Sequence, residues 1–401
     1  MEQNLTDFIK KNDGADTAAL LLCKNKYSDI DIISAVKAID ARKTIKEKVP
    51  LWFEYPSLRY PGHLPLEQCS SQITAQYKQK YITGRNTVAD LTGGLGIDTY
   101  FISKKAASVD YFERNQELAQ LAEYNFKELG QENISTSCKE ITYQFIESIP
   151  AGKYDIIYLD PARRGKQGER VFSLKDCEPD LTQLKDILLE KTDRIIVKLS
   201  PMADISTIME QLPQMRFLDI ISVGNECKEM LAVIERNYEG EVLITATDLS
   251  QNHQISFTRN QEKNSMVKYA APDSLSGYIY EPNSSILKGG AFRYISEYFG
   301  LEKISHDTHF YIGKEADGEF PGRIGEIIEV IPFSKKNIGT LSGKYEECSI
   351  FARNFPIRTE ELKKRVRCRE SKEIKGLFTT LSDKSKVIIV YRRIFETLFK
   401  E

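Results

Sequence analysis

The segment VADLTGGLGID, residues 88–98, decides the fold of this chain. A short apolar run ends in the acidic Asp90, and Gly93, Gly94 and Gly96 follow before a helical pattern begins. Glycine permits turns and close backbone approaches that a Cβ atom would hinder. The helix beyond presents unpaired N–H groups and the positive end of its dipole. The segment therefore predicts a strand, a helix and between them a turn able to bind a ligand, although an ordinary tight turn would use the same residues.

Seven strand-like runs, the first of which opens this segment, alternate with helical patterns. They are TVADL (87–91), ASVDYFE (107–113), NISTS (133–137), YDIIYLD (154–160), RIIVKL (194–199), RFLDIISV (216–223) and EMLAVIER (229–236). Apolar strands that alternate with helices predict a doubly wound α/β sheet. The segment GNECK between the last two runs is too short for a crossover helix, so these strands should pair antiparallel. This order favours a Rossmann-like, seven-stranded methyltransferase sheet over a dehydrogenase sheet.

The charge of the chain is distributed unevenly. The 401 residues carry 56 Lys and Arg against 58 Asp and Glu, a net charge of −2. Residues 321–401 hold 18 basic and 11 acidic residues, a net charge of +7, so the other 320 residues carry −9. A basic region joined to an acidic body indicates an anionic partner. At about 100–200 residues per domain, the length predicts two or three domains.

Cysteine usage and hydropathy favour a cytoplasmic protein. The seven cysteines are scattered and no CxxC motif occurs, so neither a disulfide framework nor a cysteine-type zinc site is expected. No run of about 18 apolar residues occurs, and the N-terminal MEQNLTDFIKKNDG lacks the apolar core of a signal peptide. His306 and His309 have no evident further ligands near them in sequence. We therefore expect no membrane partner and no bound metal.

The rest of the chain divides around the predicted sheet. The N-terminal region is predicted to be helical, with Ser28 as the N-cap of a long helix, and another helix is expected over 66–82. After the sheet, mixed strand and helix patterns predict one or two small α+β units. We place the domains at residues 1–65, 66–250, 276–320 and 321–401.

Acidic residues at strand ends are the candidate cofactor ligands. Asp90 precedes glycines spaced G-G-x-G, unlike the G-x-G-x-x-G of dinucleotide-binding turns, and it suits S-adenosylmethionine better than a pyrophosphate. Glu113 ends the second strand about 20 residues further on, where an acid can hydrogen-bond both ribose hydroxyls. Glu140 follows the third strand and could reach an adenine amino group. It could equally be an ordinary acid in the first turn of a helix.

A second polar motif, DPARRG, closes the fourth strand at Asp160. Ligands of open α/β sheets bind beyond the carboxyl ends of the strands, which puts Asp160 at the same edge as Asp90. Pro161 has a fixed φ and so orients the Asp160 carbonyl and carboxylate, which could accept hydrogen bonds from a substrate amine. Arg163 and Arg164 could bind a phosphate or carboxylate. They could instead be solvated side chains of a strand-ending turn.

Together, DLTGGLGID, FERNQELAQLAEYN and YLDPARRG resemble, in order and spacing, class I S-adenosylmethionine-dependent methyltransferases. The chain is more closely similar to bacterial methyltransferases that carry a C-terminal THUMP-like domain, some with a small ferredoxin-like insert before it. The VKLSPMAD, ISVGNECKE and ARNFP segments also match this family. The resemblance implies a ferredoxin-like unit over 276–320 and a THUMP-like domain over 321–401.

This resemblance implies S-adenosylmethionine as the cofactor. Asp90 and the three glycines would line its methionine end, Glu113 its ribose, and Asp160 the catalytic edge. The candidate cofactor residues are Asp90, Thr92, Gly93, Gly94, Gly96, Glu113, Arg114 and Glu140, and the candidate catalytic residues are Asp160, Pro161 and Arg163.

The motifs depart from two related patterns. Amine methyltransferases usually carry an aromatic residue after an Asn/Asp-Pro-Pro triplet, whereas this chain has Asp-Pro-Ala-Arg, which leaves the base-stacking residue unidentified. The motif also resembles the DPPR-x-G motif of uridine C5-methylating enzymes, which need a cysteine nucleophile after strand five. This chain reads Lys198-Leu199-Ser200-Pro201 there, so covalent C5 chemistry is not expected.

The basic C-terminal region is the candidate RNA-binding part. Glu360 and Glu361 lie at helical spacing from several of its cations, which is also typical of a solvated helix. The net charge and the likeness to RNA-binding THUMP modules favour structured RNA recognised by shape and phosphate. The candidate RNA-binding residues are Lys363, Lys364, Arg365, Arg367 and Arg369.

These features predict an S-adenosylmethionine-dependent methyltransferase that acts on a base of structured RNA, tRNA or rRNA. One alternative is a methyltransferase for a protein or small acidic molecule, whose carboxylate Arg163 and Arg164 would bind. The other is a non-catalytic RNA-binding protein that retains the fold. The acids at the three strand ends make this last alternative the weakest.

Overall fold

The computed structural model describes residues 2–27, 29–61, 63–163 and 174–394, so Ser28 and Arg164 lie outside the described residues. The chain forms two compact units. The first consists of Met1–Arg216 and Leu231–Gly240, and the second of Phe217–Met230 and Glu241–Glu401.

The N-terminal part of the first unit is helical, as predicted. Its helices are α1 (Glu2–Lys11), α2 (Thr17–Leu22), α3 (Ile32–Lys48), α4 (Pro50–Phe53), α5 (His63–Gln68) and α6 (Gln72–Lys78). The N-cap of α3 is Asp31 and not the predicted Ser28, and the Asp31 side chain accepts hydrogen bonds from the N–H groups of Ile33 and Ser34. The prediction of one helix over 66–82 is wrong, because Ser71 caps a new helix and separates α5 from α6.

Helix α3 joins two hydrophobic cores of this unit. Its first half contributes Val36 to a cluster with Phe8 of α1. Its second half contributes Ile45 to a cluster with Trp52 and Tyr100, which belongs to the helix after the first strand. The N-terminal helices therefore pack directly on the part of the unit that carries the sheet.

The strands of the predicted sheet are present in the structure. They are β1 (Thr87–Asp90), β2 (Ser108–Glu113), β3 (Ile134–Cys138), β4 (Ile156–Leu159), β5 (Arg194–Leu199), β6 (Met215–Val223) and β7 (Glu226–Glu235). The intervening helices are α7 (Ile97–Ser103), α8 (Gln116–Glu128), α9 (Tyr143–Ser148), α10 (Leu181–Lys191) and α11 (Ile205–Gln211). The strands lie in the order β3-β2-β1-β4-β5-β7-β6, and the first five pair in parallel.

The hairpin of β6 and β7 completes this sheet. Gly224 and Asn225 form its turn, both with positive φ, of 60° and 64°. At the other end of the hairpin the Glu235 N–H donates to the Gln214 carbonyl over 3.1 Å, which gives the antiparallel register. The structure confirms the Rossmann-like sheet with its final hairpin strand, and two further strands beside β6 bring the described sheet to nine strands rather than the predicted seven.

The second unit is mostly β-structure. Its strands, beyond its share of the hairpin, are β8 (Leu243–Asp248), β9 (His253–Phe257), β10 (Tyr278–Pro282), β11 (Glu302–Ser305), β12 (Thr308–Gly313), β13 (Gly322–Pro332), β14 (Ser349–Arg353), β15 (Ile374–Thr380) and β16 (Lys386–Ile394). Its helices are α12 (Arg259–Asn264), α13 (Ser284–Gly289), α14 (Tyr294–Tyr298), α15 (Lys335–Lys344) and α16 (Thr359–Val366).

Two groups of strands organise this unit. Strand β8 pairs in parallel with β6 and antiparallel with β9. The other strands form a separate sheet in the order β11-β12-β10-β13-β16-β15-β14, with a two-residue strand against β11. Alternate residues of β15 and β16 enter different cores, Leu377 and Ile389 on one face and Phe378 and Ile388 on the other. The separate sheet and the helices beside it have the α+β character predicted for the C-terminal region.

Several elements of the second unit differ from the sequence prediction. Helix α12 lies between residues 250 and 276, where the sequence predicts no domain. Thr258 and Gln261 form a capping box at its start, and the helix has no buried residues. Helix α15 contains Gly339 and Gly343, which weaken its helical pattern. Neither helix has the strong apolar period on which the prediction depended.

Candidate functional site

The parallel strands bring the predicted acids to one edge of the sheet. Asp90, at the end of β1, is in register with Tyr111 of β2 on one side and with Tyr158 of β4 on the other. Glu113 and Asp160 follow these two residues by two positions each. Because parallel strands end at the same edge, the three acids surround the turn after β1.

Two of the glycines in this turn are required by packing. The Gly93 N–H donates to the Phe112 carbonyl over 2.8 Å, and a Cβ on Gly93 would lie 2.0 Å from the ring of Tyr111. Gly96 has a φ of +82°, and a Cβ there would lie 2.5 Å from the ring of Phe126. These glycines let β2 and α8 pack closely against the turn.

Gly94 differs from these two glycines because its surroundings are open. It has a φ of +53°, and the nearest atom to a Cβ on Gly94 would be the Thr92 carbonyl oxygen, 3.8 Å away. Its N–H donates to Glu113 Oε2 over 2.9 Å, while the Asn115 N–H donates to Glu113 Oε1 over 2.8 Å. The turn and the end of β2 therefore hold the Glu113 carboxylate from two directions.

Asp90 is bound inside the turn. Its side chain is 1% exposed, Oδ1 accepts the Thr92 N–H over 3.0 Å, and Oδ2 accepts the Thr99 hydroxyl over 2.6 Å. Burial raises the pKa of Asp90 to about 7, against the lowering effect of these two hydrogen bonds. The geometry gives Asp90 a role in shaping the turn, and its predicted contact with the cofactor stays a prediction.

Asp160 forms an ion pair at the end of β4. Lys198 Nζ, on β5, lies 2.6 Å from Asp160 Oδ2, and the Asp160 N–H donates to the Thr92 hydroxyl over 2.5 Å. The Asp160 side chain is 38% exposed and that of Lys198 is 14% exposed. The buried Pro161 follows, and Arg163 lies in a two-residue ribbon that pairs with Cys177–Glu178. The carboxylate is thus fixed in orientation and still reachable.

Asp98 is the centre of a hydrogen-bond network near the pair of Asp160 and Lys198, which the sequence did not predict. Asp98, in the first turn of α7, accepts hydrogen bonds from Lys78 and Ser70 over 2.8 Å each and from the Tyr158 hydroxyl over 2.7 Å. Burial opposes ionisation of Asp98, but the charges of Lys78 and Lys198 outweigh it and lower its pKa. Lys198 therefore acts on two carboxylates, and α6 is tied to the turn after β1.

Lys198 and Lys78 are the functional candidates that sequence reasoning missed. Lys198 interrupts the apolar run RIIVKL, and a lysine within a mostly buried strand is a usable signal. Lys78 is 1% exposed, but its partner Asp98 is 20 residues away in the sequence. No local spacing pattern links these two residues, so only the folded chain shows their pairing.

The other two predicted cofactor residues are exposed. Arg114 Nη1 lies 3.0 Å from Glu178 Oε1, in an ion pair whose side chains are 53% and 36% exposed. Glu140 is exposed in the loop between β3 and α9. Their predicted contacts with the cofactor stay predictions.

The predicted RNA-binding residues lie in and just after α16. Three are paired with acids: Lys363 Nζ lies 2.6 Å from Glu370, Arg369 lies 2.7 Å from Glu346, and Arg365 pairs with Glu361 within the helix. Lys364 and Arg367 are exposed, and Arg367 is the left-handed C-cap with a φ of 58°. The helix therefore combines paired and exposed cations, and its predicted contact with RNA stays a prediction.

The histidines do not form a metal centre in the described structure. His306 Nδ1 lies 2.9 Å from Asp307, and His309 stacks on Phe292 with ring centroids 3.6 Å apart. Burial lowers the pKa of His309 to about 4. Within the described ranges, no cluster of three or more His, Cys, Asp or Glu could hold a metal ion. None of the described helices is long and apolar enough to span a membrane.

The fold has the architecture of a class I methyltransferase with added C-terminal domains. Residues 278–321 match the model of a ferredoxin-like domain, and residues 322–393 match that of a THUMP domain-like family. A Porphyromonas gingivalis W83 protein of known structure, described as a "putative methyltransferase", is 32% identical, with a TM-score of 0.87 and 98% of each chain covered. The chain therefore belongs to this bacterial methyltransferase family with ferredoxin-like and THUMP-like domains.

More distant likenesses cover less than half of the chain. An rRNA methylase from Streptococcus thermophilus is 12% identical, with a TM-score of 0.29 and coverage of 41% of this chain and 94% of that one. The tRNA (m1A58) methyltransferase from Aquifex aeolicus is 12% identical, with a TM-score of 0.31 and coverage of 42% and 70%. No curated protein matches the chain.

Proposed function

We propose that the chain is an S-adenosylmethionine-dependent methyltransferase whose substrate is a base in structured RNA, either tRNA or rRNA. The observation that carries this proposal is the meeting of three features at one edge of a methyltransferase-type sheet. These are the turn after β1, the Glu113 carboxylate held by Gly94 and Asn115, and the ion pair of Asp160 with Lys198.

The residues of this edge suit the proposed cofactor. A carboxylate has about four lone-pair sites, so Glu113 keeps acceptor capacity for the two ribose hydroxyls beside its two backbone donors. The open surroundings of Gly94 leave space beside the turn. When bound, S-adenosylmethionine supplies an electrophilic methyl group. Glu113, Gly94 and the neighbouring backbone of the turn would hold it.

In this proposal Asp160 takes a proton from an attacking amine. Lys198 fixes Oδ2, and Thr92 fixes the backbone, so Oδ1 is the oxygen that we assign to the substrate. A base held in one orientation contributes typically 10²–10⁴-fold to a proton-transfer reaction. Lys198 is a positioning residue for this carboxylate.

The second unit supports RNA as the substrate. Its 322–393 region matches a THUMP domain-like family, and residues 321–401 carry the net charge of +7. A basic module favours the phosphate backbone of a nucleic acid. We propose the cytoplasm as the compartment, where tRNA and rRNA are present. The seven free cysteines support this proposal, because cysteines stay reduced there.

Calorimetry with S-adenosylmethionine tests the cofactor site. Replacing Glu113 by Gln removes a charged acceptor, and we expect the Kd to rise about tenfold or more. The matched control is Glu117→Gln, an exposed acid in the first turn of α8, which should bind as the parent does. If the Glu113→Gln variant binds S-adenosylmethionine as tightly as the parent does, the proposed contact of Glu113 with the ribose is wrong.

The substrate class is tested by labelled methyl transfer and by mass spectrometry of RNA nucleosides from a deletion strain. We expect one modified nucleoside to disappear in the strain and the label to enter its RNA. Label entering RNase-treated extract instead would favour a protein or small acidic substrate. Tight retention of RNA by a protein that shows no saturable binding of S-adenosylmethionine would identify a non-catalytic RNA-binding protein.

A further inference from the structure

A charged cavity lies in the second unit, on one face of its larger sheet. Its volume is about 270 Å³, and its walls come from β10, β12, β13, β14, β15 and β16 and from the segment between α16 and β15. Pockets for small ligands typically measure about 300–1,000 Å³. The cavity lies just below this range, so it could hold one small ligand but not a duplex.

The register of the strands explains why the lining side chains converge. Ser349, Lys375 and Tyr391 lie directly opposite one another on β14, β15 and β16, so their side chains share a face. Arg393 follows Tyr391 by two residues and therefore projects from the same face. Arg323 on β13 lies opposite Glu281 on β10 and completes the row.

The cavity carries an excess of positive charge. Arg323, Arg353, Lys375 and Arg393 line it together with two acids, Glu281 and Glu370, which gives four positive and two negative charges. The net charge of the lining is thus +2. Burial, and then the neighbouring Arg393, lower the pKa of Lys375, as expected where cations are crowded together.

The two acids of the lining differ in their partners. Glu370 accepts hydrogen bonds from Lys363 and from the Ser349 hydroxyl over 2.6 Å each. Its ion pair is therefore with a lysine that does not line the cavity. Glu281 lies 3.8 Å from Arg323, a long ion pair between partly exposed side chains. Pairs of this kind contribute little and can yield to an anion.

An apolar floor accompanies the charges. Tyr391 is 6% exposed, and its ring lies over Gly325, where a Cβ would come within 2.2 Å of it. The ring of Phe351 meets that of Tyr391 edge to face, at 6.5 Å between centroids, and the ring of Phe310 lies 5.9 Å from that of Phe351. A ligand here can place a flat ring against aromatic side chains and an anionic group against the cations.

We propose that this cavity is a binding site for a nucleotide monophosphate group, whose dianionic phosphate meets Arg323, Arg353, Lys375 and Arg393 while its base lies on the aromatic floor. A phosphate monoester carries about −1.5 to −2 charges at neutral pH, which matches the +2 of the lining. Arginine guanidinium groups bind phosphate in a bidentate manner. The ligand is either a free nucleotide or the phosphorylated end of an RNA strand, and its binding requires neither the cofactor nor methyl transfer.

Binding measurements on the full chain without cofactor test this site. The probes are AMP, adenosine, and a short single-stranded RNA with either a 5′-phosphate or a 5′-hydroxyl. We expect AMP to bind more tightly than adenosine. Arg353→Gln and Arg393→Gln should each weaken AMP binding about tenfold or more. Lys336→Gln, which changes an exposed lysine of α15 outside the cavity, is the matched control.

The RNA probes separate the two sources of the phosphate. Preference for the 5′-phosphorylated RNA, lost in Arg353→Gln, assigns the cavity to a strand end, whereas AMP binding without such preference assigns it to a free nucleotide. The proposal is overturned if the phosphate brings no preference in either pair, that is, if AMP binds no better than adenosine and the 5′-phosphorylated RNA no better than the 5′-hydroxyl RNA. It is also overturned if AMP binding is the same in the parent and in both arginine variants while circular dichroism shows them folded. Because no methyl transfer is measured, failure here leaves the proposed function standing.

Discussion

The edge of the first sheet and the cavity of the second unit use charge in opposite ways. At the sheet edge the acids are held by fixed partners: Asp160 pairs with Lys198 and Asp98 with Lys78, while Glu113 accepts two backbone N–H groups. Burial raises the pKa of Asp90 to about 7. In the cavity four cations face two acids, and one of these acids is already engaged by Lys363. The first region fixes its acids with partners inside the protein, whereas the lining of the second carries more cations than acids.

This difference indicates how each region would act. A balanced site fixes the orientation of its groups, so its substitutions should change rates or the shape of the turn more than long-range attraction. An unbalanced site attracts an anion, so its substitutions should change affinity and its dependence on salt. Substitutions in each region can therefore separate the two kinds of effect.

The largest effect is expected at Asp160. Asp160→Asn keeps the shape of the side chain but removes the proton acceptor beside Lys198, so turnover should fall by about 10²–10⁴-fold. Cofactor affinity should change little, because the groups assigned to the cofactor lie on Gly94 and Glu113. Steady-state kinetics and calorimetry measure the two quantities, with the exposed Asp186→Asn as the control. A loss of cofactor binding as large as the loss of turnover would contradict the division of roles.

The next effect is a pH dependence of stability at Asp90. The pKa of this acid is raised from 3.8 to about 7 in the folded chain, so the folded state binds its proton more tightly than the unfolded state does. Its contribution to stability is present below pH 4 and is lost as the pH rises from about 4 to 7, by up to about 4 kcal/mol. Urea unfolding of the parent and of Asp90→Asn at several pH values measures it. The difference between the two proteins in the free energy of unfolding should change across this pH window. A difference that stays constant would contradict burial as the cause of the raised pKa.

A smaller effect is expected where the turn packs on its neighbours. Gly93→Ala places a Cβ 2.0 Å from the ring of Tyr111, and overpacking of this kind costs about 1–3 kcal/mol in the free energy of unfolding. Gly84→Ala is the matched control, because its Cβ would meet only the Lys105 carbonyl oxygen at 3.8 Å. Urea denaturation should separate the two variants. Equal stability would mean that Tyr111 can move aside without cost.

The sequence predicts the sheet of the first unit far better than the partners of its charged residues. Strand ends, glycines and the hairpin before β7 have local signatures, so Glu113 and Asp160 could be placed at one edge in advance. Lys198 and Lys78 find their acids 38 and 20 residues away in the sequence. In the second unit the four cations of the cavity lie on four different strands, so no local sequence pattern links them. The run of Lys and Arg residues in α16 is the pattern that the sequence shows. A dense local run of cations is therefore a poor guide to a binding site, because three of the cations in and just after α16 are paired with acids.

The smallest effect distinguishes paired from exposed cations on α16. Lys364→Gln removes an exposed charge, and if it contacts a phosphate the slope of log K against log salt for RNA binding should fall by about 1. The double variant Glu361→Gln with Arg365→Gln removes an i, i+4 pair without changing the net charge, and such surface pairs contribute little. We therefore expect its slope to equal that of the parent. If the double variant lowers the slope as much as Lys364→Gln does, Arg365 leaves Glu361 to contact RNA, and the distinction between balanced and unbalanced charge fails on this helix.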